Sequence, residues 1–145
     1  TPLQETDAGA VKKLTTLWTR AGMEVEAMDA EHHDMVLAVT SHLPHLIAYT
    51  IVGTAFDLEE TIMPEVFKFA AGGFRDFTRI AASDPVMWRD IFLKNGDAVL
   101  DLLACFTKDL DTIKRAIHRG DSKTLENLFM RTRKIRKGVL EAHQD

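Results

Sequence analysis

Apolar residues recur at steps of three and four along most of this chain, the spacing that places them on one face of a helix. Val11, Leu14, Leu17 and Trp18 make the first such face, with Thr6 or Asp7 as its cap and Gly22 as its stop. Residues 23–28, Met-Glu-Val-Glu-Ala-Met, then alternate apolar with acidic or small positions and predict one short strand. A lone strand cannot satisfy its own backbone, and nothing later in the chain offers a second convincing one. Residues 1–28 are therefore expected to be the tail of a preceding α/β domain. The first residue is Thr rather than Met, which gives the same expectation of a fragment or a processed product.

The next stretch organises the chain. Asp29 is a good N-cap and Glu31 suits the first turn, so a helix is predicted from here to about Thr54. Inside it, Asp34, Ala38, Ser41 and His45 fall on one stripe, with His42 close by. A core helix would place Leu or Ile there. Pro44 lacks an N–H and its ring presses on the carbonyl of Thr40, so a kink is expected near it. A kink carrying one Ser and two His suits a polar ligand, although buried histidines satisfied by neighbouring helices would give the same pattern.

Pro64 predicts a short helix from Glu65 to about Ala70, and Gly72-Gly73 breaks the chain before a helical turn or two through residues 74–82. Ser83-Asp84-Pro85 opens another helix carrying Val86, Trp88, Ile91 and Phe92, which Asn95-Gly96 closes. Val99, Leu102, Leu103, Phe106, Leu110, Ile113 and Ile117 then stripe one long helix. Leu125, Leu128, Thr132, Ile135 and Val139 stripe a second, beyond Gly120 and a cap at Asp121 or Ser122. So short a connection predicts an antiparallel pair, a packing or dimerisation unit. The fold class expected is all-α.

Composition adds limits. One compact domain is the expectation at 145 residues, and 46% apolar residues suffice for a core. The net charge of −4 argues against a general binder of nucleic acid or membrane surfaces. No apolar run is expected to approach the roughly 18–20 residues of a spanning helix, and no export signal is visible. Cys105, the single cysteine, cannot form an internal disulfide. It fits a reducing, cytoplasmic setting and reads as an inert thiol on a buried helix.

Four of the six histidines lie in residues 29–49. His32, His33 and Asp34 invite a metal reading of the phosphohydrolase type, with His42 and His45 as further ligands if they converge; there is no HExxH and no cysteine ligand set. In the second polar constellation, Gly72-Gly73 lets backbone amides approach an anion. Arg79 is able to clamp a carboxylate, and Asp76 to hold the guanidinium. The plain alternative is a turn followed by a surface Asp76–Arg79 pair worth little. Trp88 suits either a core position or the wall of an aromatic-lined cleft. The basic run from Arg131 to Lys137 reads as a solvated helix face.

Met28-Asp-Ala-Glu-His-His-Asp34, Ser41-His-Leu-Pro-His45, Gly72-Gly-Phe-Arg-Asp-Phe-Thr-Arg-Ile-Ala81 and Asp84-Pro85 with Trp88 together resemble the prephenate and arogenate dehydrogenases of tyrosine biosynthesis. The resemblance spans nearly the whole chain. It implies a Rossmann-type nucleotide-binding domain, of which residues 1–28 are the last helix and strand, followed by a helical substrate-binding and dimerisation domain over 29–145. It implies hydride transfer from C4 of prephenate or arogenate to NAD or NADP, with loss of the ring carboxylate as CO2. Ser41, His42 and His45 would line the substrate cleft and Arg79 would bind a substrate carboxylate. Gly72, Asp76 and Trp88 would sit near its mouth, close to the dimer interface. The catalytic His and the phosphate loop belong to the absent domain, so no catalytic residue is expected here and the chain alone should not turn over. The rival readings are the metal-dependent phosphohydrolase and a non-catalytic helical dimerisation or effector-binding module.

Overall fold

The computed structural model describes residues 1–57, 65 and 68–143, with side chains described as far as residue 138. Every regular element among the described residues is helical: α1 (Ala8–Arg20), α2 (Ala30–Leu37), a π-helical turn (Ala38–His42), α3 (Leu43–Phe56), α4 (Gly72–Ala81), α5 (Pro85–Lys94), α6 (Gly96–Arg119) and α7 (Ser122–His143). This is the all-α class that the apolar spacing predicts. Of the short helix expected at Glu65–Ala70, residues 65, 68 and 69 are helical, and residues 66 and 67 lie outside the described residues.

Local chemistry sets the boundaries. Asp7 accepts from the Ala10 N–H at 2.7 Å, Asp29 from Glu31 and His32, and Asp84 from Met87 at 2.7 Å. Each satisfies donors that the first turn leaves unpaired. Gly22 and Gly120 end α1 and α6 with φ of 85° and 64°. At both ends the next N–H reaches back five residues, Met23 to Trp18 and Asp121 to Ala116. This is the Schellman arrangement, which needs a left-handed residue. Asp121 then caps α7, and its hydrogen bonds from Thr124 hold its carboxyl below the usual carboxylate range.

Residues 23–29 are not a strand: they carry no regular structure. Their alternating pattern finds no neighbour among the described residues to complete a ladder, and strand geometry without a partner leaves the backbone unpaired. α1 buries none of its residues, and Leu14, Leu17 and Trp18 are all more than half exposed.

By internal packing the chain divides into Thr1–Leu102 and Leu103–Asp145. In the first unit, α3 packs on α4, and α2 and α3 meet at the π-turn. Ala38, His42, Ala48, Trp88 and Val99 are its buried residues. In the second unit Ala116 is buried, and Leu110, Ile117, Phe129, Met130 and Ile135 stay about half exposed or more. Cys105 is also exposed, which corrects its assignment to a buried position.

The π-turn changes the register of the central helix. A regular helix predicts Asp34, Ala38, Ser41 and His45 on one stripe. The wider turn, closed by the Leu43 N–H on the Ala38 carbonyl, puts His42 in the buried position and leaves Ser41 half-buried. Taken through this turn, Ala30–Phe56 is one helix of 27 residues, long and apolar enough by length and composition to cross a membrane. Counting only uninterrupted apolar runs misses it, because the Ser and His residues divide it. Within it, His42 meets Asn95 and His45 stacks on Trp88 of neighbouring elements.

Candidate functional site

The site is built around the π-turn. Pro44 stands in the first turn of α3, where its missing N–H costs least, and the widened turn ahead of it relieves the clash with the preceding carbonyls. This fixes two imidazoles on adjacent turns. His45 donates through Nδ1 to the Ser41 carbonyl at 2.9 Å. A carbonyl only accepts, so neutral His45 keeps its proton on Nδ1 and offers a lone pair at Nε2. His42 is 7% exposed, with its Nδ1 3.1 Å from the Asn95 amide nitrogen. Burial lowers its pKa; Asp34 opposes this, and His33 and His45 add to it. His42 is thus neutral at neutral pH.

α5 supplies the opposite wall. Trp88 stacks on His45 with ring centroids 3.6 Å apart and planes 21° from parallel. It meets His42 edge-on at 6.1 Å and 80°, and Phe92, one turn along, at 5.5 Å. Trp88 is 5% exposed, yet its buried indole Nε1 finds no hydrogen-bond partner among the described residues. Such a donor costs on the order of 1–3 kcal/mol, and sites that receive ligands are where this cost is tolerated. The Tyr49 hydroxyl donates to the Ser83 carbonyl at 2.7 Å and ties α3 to the start of α5. A cavity of about 320 Å³ lies between these helices, lined by Leu46, Tyr49, Thr50, Pro85, Trp88, Arg89 and Phe92.

A cavity of about 500 Å³ lies beside α2 and the α5–α6 junction, with Glu31, Asp34, Lys94, Asn95, Asp97 and Asp101 in its wall. Four carboxylates against one lysine repel an anion.

Ser41, His42, His45 and Trp88 are brought together, Ser41 by its backbone carbonyl. Gly72, Asp76 and Arg79 are on α4. Phe74 and Phe77 are half-buried, whereas Asp76 and Arg79 are each 73% exposed and pair with each other at 3.7 Å. No hydrogen bond or ion pair among the described residues joins Arg79 to either imidazole. Gly72 opens α4 behind Ala71, which provides no side-chain cap.

His33 bonds Asp34 directly at 3.0 Å on the surface, and His32 is exposed. Among the described residues, no three His, Cys, Asp or Glu side chains converge as metal ligands. The phosphohydrolase geometry is not assembled. Sequence reasoning missed Asn95, which it took only as a helix breaker. Its one signal was a side-chain amide at the junction of two apolar-striped helices.

Residues 29–131 match the family model described as the prephenate dehydrogenase dimerization domain. The chain belongs to this family. Among prephenate dehydrogenase relatives, the chain is 40% identical to the cyclohexadienyl dehydrogenase of Zymomonas mobilis over 143 residues, 99% of this chain and 49% of that protein. It is also 40% identical to the prephenate dehydrogenase of Bacillus subtilis, over 96% of this chain and 37% of that protein. The chain therefore spans half or less of the length of these relatives. Among solved structures, it is similar to prephenate dehydrogenase from A. aeolicus in complex with hydroxyphenyl propionate and NAD+. That match has a TM-score of 0.80 and 41% identity, and covers 94% of this chain and 48% of that one. Synechocystis arogenate dehydrogenase shares the fold, with a TM-score of 0.81 at 23% identity over 96% of this chain and 50% of that one.

Proposed function

We propose that this chain is the substrate-binding and dimerisation domain of an NAD- or NADP-dependent dehydrogenase that oxidatively decarboxylates prephenate or arogenate in the cytoplasmic synthesis of tyrosine. The observation that carries the reading is the match over residues 29–131 at half the relatives' length, on the segment that bears the His42–Trp88–His45 cluster. The substrate has a ring, a hydroxyl and carboxylates. An aromatic wall, imidazoles with settled protons and a guanidinium on the helix packed against α3 are the groups such a molecule requires.

In this reading Ser41, His42 and His45 line the cleft, Arg79 binds a carboxylate, and Gly72, Asp76 and Trp88 border the mouth. A nicotinamide cofactor, held by the nucleotide-binding domain, would supply the acceptor for the hydride from C4, with the ring carboxylate lost as CO2. This chain contains no GxGxxG, so none of its residues is assigned to the cofactor. Residues 1–28 are the end of the nucleotide-binding domain: the exposed face of α1 and the unpaired residues 23–29 are what such an end presents without its sheet. The catalytic His belongs to that domain.

Dimerisation is supported by surface. Ile117, Phe129 and Ile135 are each more than half exposed and supply the apolar area for it.

The test compares prephenate- or arogenate-dependent reduction of NAD or NADP by the whole enzyme and by this chain alone. Turnover by the whole enzyme and none by the chain is expected. Turnover by the chain alone, or none by the whole enzyme, would overturn the assignment.

A further inference from the structure

We propose that Asn95 is a positioning residue: its side-chain amide fixes neutral His42 as the Nε2–H tautomer, so that His42 meets the substrate as a hydrogen-bond donor. The inference rests on the reading that His42 lines the substrate cleft. It goes beyond that reading in assigning Asn95 a role and His42 a fixed proton.

The backbone holds Asn95 in place. Asn95 closes α5 by donating its N–H to the Ile91 carbonyl at 3.0 Å, and its own carbonyl accepts from Val99 in the first turn of α6 at 3.2 Å. Its Cα is held from both sides, so the side chain leaves the junction in a set direction. The amide nitrogen then donates to the Asp34 carbonyl at 2.8 Å and lies 3.1 Å from His42 Nδ1. The first contact settles the orientation of the amide. Turning it over would set oxygen against the Asp34 carbonyl oxygen, with no proton between them. The nitrogen therefore faces both partners, and an amide nitrogen only donates. His42 Nδ1 must accept, and its proton sits on Nε2.

The neighbouring groups agree. His45 donates through Nδ1 to Ser41, which is the opposite tautomer one turn away. The two imidazoles thus offer a donor at His42 and an acceptor at His45. Burial also keeps His42 uncharged, so its donor is a neutral N–H. A neutral donor suits a hydroxyl or carbonyl oxygen of the substrate, with Arg79 left to meet a carboxylate.

The experiment has two arms. Long-range 1H–15N spectra of the chain labelled with 15N-histidine read the tautomer directly. His42 is expected with bare Nδ1 and protonated Nε2. Asn95→Asp keeps the shape but removes the donor, and is expected to move the proton to Nδ1 or to protonate both nitrogens. Asn95→Ala, which leaves Nδ1 without its donor, serves if the Asp variant does not fold, and is expected to mix the tautomers. In the whole enzyme, Asn95→Asp is expected to raise KM for prephenate about tenfold or more, the scale of one buried hydrogen bond lost, with kcat nearly unchanged.

An Nδ1–H tautomer in the unmodified chain, or the same spectrum in both variants, overturns the proposal. A moved proton with an unchanged KM also overturns it, by removing His42 from the cleft. If the unmodified whole enzyme fails to turn over prephenate, the functional reading fails separately, and the spectra still decide whether Asn95 sets the tautomer.

Discussion

Replacing Trp88 by Ala and by Phe separates two effects that the structure places on one side chain. A buried indole covers about 150–250 Å², worth roughly 4–6 kcal/mol at about 25 cal/mol per Å². Truncation of such residues to Ala costs about 3–5 kcal/mol. Trp88 is 5% exposed and touches His42, His45 and Phe92, so Trp88→Ala falls in that range. Phe keeps a ring against His45 and loses about a quarter of the area, about 1 kcal/mol plus a small cavity term. It also removes the unpartnered Nε1–H, which costs the folded state about 1–3 kcal/mol. These nearly cancel, and Trp88→Phe is expected within about 1 kcal/mol of the parent. At about 2–4 °C per kcal/mol for a domain of this size, Ala lowers Tm by roughly 6–20 °C and Phe by less than about 4 °C. Thermal unfolding followed by circular dichroism reads both. A Phe variant as unstable as the Ala variant would refute the reasoning, because the indole N–H would then have a partner in solution.

Three further outcomes follow from particular residues. Burial holds His42 below the ordinary imidazole value of about 6.5, so below that pH the unfolded chain binds a proton that the folded chain excludes. Stability should fall as pH drops from about 7 through the lowered pKa of His42 and level off beneath it. His42→Gln should flatten this part of the urea-midpoint profile, and an unchanged slope would contradict the assignment. Gly120→Ala should cost about 1–2 kcal/mol by urea unfolding, purely from the positive φ, since a Cβ there meets nothing within 4 Å; a neutral result would remove the left-handed turn. Light scattering at micromolar concentration should give a dimer mass, which Phe129→Asp or Ile117→Asp should lower towards that of the monomer; a monomeric parent would leave the exposed apolar surface unexplained.

The helices were legible because their signals are local. Asp7, Asp29 and Asp84 cap where their position predicts, and Gly22 and Gly120 stop α1 and α6 because both need positive φ. The unusual residues of the central helix were legible too, since Ser and His at core spacing have few explanations. Three features were not. A strand pattern at residues 23–28 needs a neighbour, and pairing is a property of two segments. The π-turn admits one extra residue, which exchanged Ser41 for His42 in the buried position, and a fixed period of 3.6 cannot anticipate that. Asn95 acts on His42 across 53 positions of sequence, and no spacing rule reaches so far. Trp88 is both core and wall, so the two readings of it were never exclusive.

The central claim is that the histidine-bearing helix and the arginine of α4 receive one anionic substrate. Steady-state KM for prephenate in the whole enzyme tests it most directly, with Arg79→Ala set beside Arg131→Ala. Loss of a charge-assisted hydrogen bond to a carboxylate predicts a rise of about tenfold or more for Arg79→Ala. Arg131, on the exposed face of α7, should change KM by less than about twofold. Equal and small effects of the two substitutions would contradict the account.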